Sequence, residues 1–152
     1  MSNGRRAWVF FYGTFMDPAV LLAHGIDCDK VIPAKLSGYE LRLRPRGNLV
    51  VNDRAVVYGS VAQITHQDIA TLYRGLDERF GLKYLPEAVL AETLDGSFRP
   101  ALCYIVPHME DSSPDPEYVK QMVAAVRAIG LPHWYAEFVQ SMGDGALMDK
   151  VY

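Results

Sequence analysis

The chain has 152 residues, half of them apolar, with nine tyrosines and six phenylalanines. That is enough to bury a sizeable core in one domain over 1–152, and too apolar for a disordered chain. The net charge of -3 argues against a nucleic-acid partner, because phosphate binding rests on an excess of Lys and Arg, and no apolar run is long enough to span a bilayer or imply a membrane partner.

The start, "MSNGRRAWVFFYG", sets two arginines before an apolar stretch. That stretch is too short for a secretory signal and ends in a turn, not at a small-residue cleavage site, which points to the cytoplasm. Residues 7–12, "AWVFFY", are apolar on both alternating faces, as in a strand covered on both sides. "DPAVLLAHG" reads as a short helix with Asp17 as N-cap, Pro18 at the first helical position and Gly25 past the end. In "YELRLRPR", Tyr39, Leu41 and Leu43 alternate with Glu40, Arg42 and Arg44, the pattern of a half-buried strand.

"NLVVNDRAVVYGSVAQI" reads as two strands joined by the turn residues Asn52 and Asp53. A helix follows. Ile69, Leu72, Tyr73, Leu76 and Phe80 form its apolar stripe, Thr65 can cap it and Gly81 can end it. "YLPEAVLAE" and "RPALCYIV" are strands joined by "LDGS", and "PHMEDSSPDP" is a surface loop by composition. Two helices close the chain. One starts at Asp115-Pro116 and stops at Gly130; the other starts at Pro132 and presents Tyr135, Phe138, Val139 and Met142 on one face. Strands with helices inserted and appended, not alternating with them, give an α+β fold.

Cys28 and Cys103 are far apart, with no CxxC, which suits a reducing compartment. The four histidines, His24, His66, His108 and His133, sit at no ligand-like interval, so no metal is expected.

Taken in order, "VFFYGTFMDPAVL", "AKLSGYELR", "VVYGSVAQIT", a helix ending in Leu-Asp, "YLPEAVLAE", "DGSFRPALCYIV" and "GLPHWY" resemble the gamma-glutamylcyclotransferase-like superfamily in its AIG2-like branch. The hallmark Tyr-Gly-Ser/Thr-Leu is matched by Tyr12, Gly13, Thr14 and Phe15. The resemblance implies a small mixed β-barrel with inserted and C-terminal helices and a cavity at one mouth. A small γ-glutamyl-containing molecule enters that cavity. Its α-amine attacks the γ-carbonyl and releases 5-oxoproline and the amine, with no cofactor. The Gly13 elbow then offers backbone N–H groups to a carboxylate or a developing oxyanion. Tyr12, Gly13, Thr14, Phe15, Tyr84 and Tyr135 are the implied substrate-binding residues, although a tyrosine on an amphipathic helix, such as Tyr135, is usually core.

The reaction also requires one carboxylate to take a proton from the ammonium and return one to the leaving nitrogen. In the resembling family this is a glutamate, in a pattern close to Leu-Asp-x-x-Glu-Gly with a tyrosine soon after. Here the stretch is "LDERFGLKY". Anchoring on Leu76-Asp77, Gly81 and Tyr84 puts Phe80 in the glutamate slot; anchoring without gaps on the helix start puts Leu76 there. Either residue is apolar.

Two carboxylates are the catalytic alternatives. Glu78 is nearest, but a regular helix points it at solvent, and only an early end, at Gly75, swings it inward. Glu87 alternates in phase with Leu85, Val89 and Ala91, where it is either partly desolvated or on the wet end of that face beside Pro86. Arg42, Arg44 and Arg46 form a row that either attracts an anion or is simply solvated. Thr14 and Cys103 have no activating His or Lys nearby in sequence. Two functions remain: a cyclotransferase using Glu78 or Glu87, or a catalytically inactive small-ligand binding or interaction module whose cavity is lined by Leu76 or Phe80. The oligomeric state is open, with Trp134 and Tyr135 as a contact surface.

Overall fold

The computed structural model describes residues 4–28, 30–108 and 112–149, of which 144–149 are described as backbone only. The expected surface loop at 107–116 therefore lies in part, at 109–111, outside the described residues. Five strands, β1 (Arg6–Phe11), β2 (Ile32–Leu43), β3 (Gly47–Thr65), β4 (Leu85–Thr93) and β5 (Phe98–Ile105), close a barrel in the order β1-β3-β2-β4-β5. Neighbours are antiparallel except β1 and β5, which run parallel with Val9 opposite Leu102 and Phe10 opposite Cys103. The fold is α+β, with a mixed barrel, α-helices inserted separately after β1 and after β3, and two C-terminal helices.

The helices form where the caps predict. α1 (Pro18–Ala23) begins with the Asp17 carboxylate accepting the Ala19 N–H at 2.9 Å. α2 (His66–Phe80) begins with Thr65 Oγ1 accepting the Asp68 N–H at 3.1 Å and ends at Gly81. α3 (Pro116–Ala128) begins with Asp115 accepting the Glu117 N–H at 3.0 Å, and α4 (His133–Asp149) follows Pro132. Each cap satisfies an N–H that the helix leaves unpaired, typically worth about 1 kcal/mol.

Two expectations change. The reading of 48–64 as two strands fails, because β3 is one strand of 19 residues. Its turn residues form a bulge instead. Ser37 faces Val56 and Tyr39 faces Val51, so 52–55 loop out opposite Gly38. Asn52 fixes the bulge, accepting the Arg54 N–H through Oδ1 and donating to Glu40 Oε1, each at 3.0 Å. Asx chemistry that could have reversed the chain makes a local kink here. The contact surface at Trp134 and Tyr135 is also divided: Trp134 is exposed, while Tyr135 is buried against the barrel.

Alternation along the strands fills the interior. Val9, Phe11, Leu36, Leu41, Leu43, Val57, Val61, Ala91 and Cys103 belong to one core with the buried faces of α2, α3 and α4. At the end of β1 the chain must leave this core beside β3. Gly59 permits it, because a Cβ there would collide with the Phe11 carbonyl, and Ser60 Oγ ties the next turn down by donating to the Met16 carbonyl at 2.9 Å. The Tyr12-Gly13 elbow, followed by a 3-10 turn at Thr14–Met16, is thereby fixed at the barrel mouth. Among the described residues, no helix is long and apolar enough to cross a membrane.

Candidate functional site

The elbow forms one wall of a narrow cavity that leaves about 30 Å³ of free space behind its mouth. Phe11, Tyr12, Gly13, Thr14 and Phe15 come from the elbow, and Arg46 and Gly47 from the β2–β3 turn. Tyr73 and Leu76 come from α2, Tyr84 from the segment before β4, Tyr104 from β5 and Tyr118 from α3. Five tyrosines, one leucine and one arginine therefore dominate the lining.

The tyrosines serve first as scaffolding. Tyr12 donates its hydroxyl proton to the Tyr104 carbonyl at 2.6 Å, and Tyr84 donates to the Gly47 carbonyl at 2.7 Å. Tyr73 stacks on Tyr104 with centroids 4.2 Å apart and leans on Tyr84 at 5.4 Å. The Gly47 turn is held from below by Asn48. Its side chain donates to the Val106 carbonyl at 2.8 Å and accepts the Val106 N–H at 2.9 Å.

Burial pushes the Tyr12, Tyr73, Tyr84 and Tyr118 hydroxyls above the ordinary phenol pKa, and neighbouring phenols add to the rise for Tyr12 and Tyr73. Arg46 and backbone N–H groups only partly offset it at Tyr118. All four are neutral at physiological pH. Arg46 therefore carries the only formal charge on the lining. Its guanidinium is sandwiched between the Phe80 ring, 4.1 Å to the centroid, and the Tyr118 ring at 4.3 Å. The contacts fix a cation at the mouth while leaving its N–H edge unobstructed by the rings.

Residues 9–122 match the sequence pattern of the family described as gamma-glutamyl cyclotransferase, AIG2-like. The chain belongs to that family. Solved structures share its fold. An uncharacterized Homo sapiens protein, LOC79017, superposes with a TM-score of 0.73 at 18% identity, over 90% of this chain and 87% of that one. YkqA of Bacillus subtilis gives 0.75 at 21% identity over 91% of this chain, which spans only 54% of YkqA. A yeast gamma-glutamyl cyclotransferase specific to glutathione gives 0.60 at 12%, over 93% and 97% of the two chains. No curated protein matches the chain by sequence. At these identities the structural likeness establishes architecture, not chemistry.

Within this cyclotransferase-family fold, Tyr12, Gly13, Thr14, Phe15 and Tyr84 come together in the cavity and Tyr135 does not. Tyr135 is buried on α4, where its hydroxyl oxygen accepts the Tyr58 N–H at 3.2 Å, and it lines a separate groove with Arg42, Arg44 and Trp134. Glu78 is also outside the cavity. α2 runs unbroken past Gly75, so Glu78 is exposed over a neighbouring groove beside His24 and Arg74. Glu87 lies across from Cys103 on the phase of β4 that turns inward further along, but it is exposed there. At its position β2 and β4 are no longer paired, and its carboxylate accepts the Tyr39 hydroxyl at 3.2 Å.

The two registers for the glutamate slot separate physically. Leu76 is buried and faces the cavity. Phe80 is 47% exposed and meets the cavity only through Arg46. No carboxylate is on the lining, and among the described residues no cluster of three His, Cys, Asp or Glu could hold a metal ion.

The expected arginine row breaks up as well. Arg42 is on β2, exposed and paired with Glu40, whereas Arg46 is beyond the strand and turns into the cavity. The strand alternation that groups Arg46 with Arg42 and Arg44 stops at Leu43, three residues before Arg46. Tyr73 was legible only as part of an apolar stripe. Tyr104 and Tyr118 gave no signal, since their place depends on closure of the barrel and docking of α3.

At Gly13 the structure shows a steric requirement. Its backbone is extended, φ -111° and ψ -152°, a conformation open to any residue. Space is what excludes a side chain: a Cβ at Gly13 would lie 2.5 Å from the Tyr118 hydroxyl oxygen, and one at Gly47 would lie 2.8 Å from it.

Proposed function

We propose that the protein binds a small carboxylate-bearing molecule of the γ-glutamyl type and holds it without cyclising it. The observation that carries this reading is Leu76, an apolar side chain on a cavity whose lining holds one arginine and no carboxylate. Cyclisation requires a group that removes a proton from the ligand's ammonium near neutral pH. Phenols raised by burial are poor bases there, and Glu78 and Glu87 both sit on surfaces outside the cavity. What the cavity retains is recognition. Arg46 offers a fixed guanidinium to a carboxylate, and the aromatic walls suit an aliphatic chain.

Membership of the cyclotransferase family favours the γ-glutamyl ligand class, and it also supports a second reading in which 5-oxoproline is released. That reading needs Glu78 or Glu87 to enter the cavity on binding. Titration calorimetry with γ-glutamyl amines and dipeptides tests the proposal, with their methyl esters as controls. Saturable binding of an acid and not of its ester is the expected result; equal binding of both, or of neither, overturns it.

A further inference from the structure

The cavity is too small to enclose a whole ligand. Its free space of about 30 Å³ takes a carboxylate-sized group and little more, so the remainder of a γ-glutamyl molecule lies at the mouth and beyond it. Beside that mouth is an open groove of about 630 Å³, within the size range of small-molecule sites. Cavity and groove share one wall. Arg46 and Tyr84 line the cavity, while their chain neighbours Pro45, Lys83 and Leu85 line the groove. Phe80 serves both, because its ring carries the Arg46 guanidinium at 4.1 Å and it also borders the groove. The wall is braced: the Tyr84 hydroxyl donates to the Gly47 carbonyl, and Asn48 pairs with both backbone groups of Val106, another groove residue. A ligand anchored on Arg46 therefore has a preformed surface beside it.

The chemistry of the groove names its occupant. Pro45, Phe80, Leu82, Leu85 and Val106 make it apolar, and Phe80 and Leu85 remain 47% and 54% exposed. Large apolar side chains left in water around one groove mark a surface that something covers. Lys83 supplies a cation, and among the described residues no carboxylate lines the groove. We propose that this groove is the subsite for the amine-side part of the ligand and that it selects an apolar amino acid with a free carboxylate. The side chain lies on Leu82 and Leu85, and Lys83 takes the carboxylate. This rests on the binding function proposed above and narrows its ligand class to γ-glutamyl dipeptides ending in an apolar residue such as leucine. Arg46 holds the glutamyl carboxylate at the mouth, and the γ-amide bond crosses the rim at Phe80.

Three ligands separate the parts: γ-glutamyl-methylamide, which ends before the groove, γ-glutamyl-leucine, and γ-glutamyl-leucinamide, which lacks the terminal carboxylate. Calorimetric titration should find γ-glutamyl-leucine about tenfold tighter than the methylamide, through burial of the leucine side chain and pairing with Lys83. Leu85→Ser should cut that ratio to about threefold or less, and Lys83→Gln should remove the preference for γ-glutamyl-leucine over its amide. Both residues are exposed, so both variants should fold. Equal binding of the methylamide and γ-glutamyl-leucine by wild type overturns the inference and leaves the binding function standing; so does a preference that survives both substitutions. N-acetyl-leucine probes the groove alone, through chemical-shift changes at the amides of Leu82, Lys83, Leu85 and Val106. Those changes without binding of any γ-glutamyl ligand keep the groove and remove the γ-glutamyl function. Their absence with N-acetyl-leucine and γ-glutamyl-leucine alike overturns the groove, and binding of none of the four compounds overturns both.

Discussion

Replacing Arg46 by methionine removes the only charge on the cavity lining while keeping a long, apolar side chain between Phe80 and Tyr118. A charge-assisted hydrogen bond from a guanidinium to a carboxylate contributes about 1.5–3 kcal/mol. Its loss should weaken binding of a γ-glutamyl acid roughly 10- to 150-fold at about 1.4 kcal/mol per factor of ten. The fold should suffer much less. Two ring contacts at 4.1 and 4.3 Å at a half-buried site are worth about 0.5–1 kcal/mol each, and the methionine sulfur recovers part of that on the same rings. A net loss near 1 kcal/mol lowers the melting temperature of a chain this size by about 2–4 °C. Arg46→Lys keeps the charge but not the planar fork, and should fall between the two in affinity. Calorimetric titration of all three proteins, with melting curves alongside, measures both quantities. Affinity within twofold of wild type for a folded Arg46→Met protein would refute the assignment of Arg46 as the carboxylate anchor.

Other consequences are simpler to state. Glu78→Gln and Glu87→Gln should leave ligand affinity unchanged and shift stability by about 0.5 kcal/mol or less, as expected for exposed carboxylates; chemical denaturation and titration of each variant check this. Asn48→Ala strips both partners from the buried Val106 backbone, at a cost of about 2–4 kcal/mol, read as a fall of about 5–15 °C in melting temperature. The buried tyrosines also set an alkaline limit. Their folded pKa values lie above the unfolded value of 10.0, so their contribution is complete below about pH 10 and is lost as the pH rises toward the folded values. Absorbance at the phenolate band should show these residues ionising together with unfolding; ionisation well before loss of circular dichroism would contradict their burial.

Local chemistry was legible in the sequence wherever it acts locally. Asp17, Thr65 and Asp115 announce the helix starts, and the "YGTF" elbow after an all-apolar strand marks the barrel mouth, because caps and turns depend on neighbours a few residues away. The long β3 strand was not legible. Asn52 and Asp53 carry the same Asx signal whether the chain reverses or bulges, and only pairing with β2 selects the bulge. Nor was the site's electrostatic character. Leu76 and Phe80 were both defensible in the glutamate slot, and it takes the helix geometry to show that one lines the cavity while the other props an arginine against it. The Tyr118 contact depends on a helix docked across the barrel mouth, with two glycines far apart in sequence making the space, so no local pattern could have revealed it.

The central claim is that the cavity recognises a γ-glutamyl acid without turning it over. The most direct measurement is prolonged incubation of the protein with the tightest-binding γ-glutamyl dipeptide, followed by mass-spectrometric quantification of intact dipeptide and 5-oxoproline. Recovery of the dipeptide intact, with 5-oxoproline no higher than in buffer alone, is the predicted result. Catalytic release of 5-oxoproline, abolished by Glu78→Gln or Glu87→Gln, would contradict it and place a carboxylate in the cavity during the reaction.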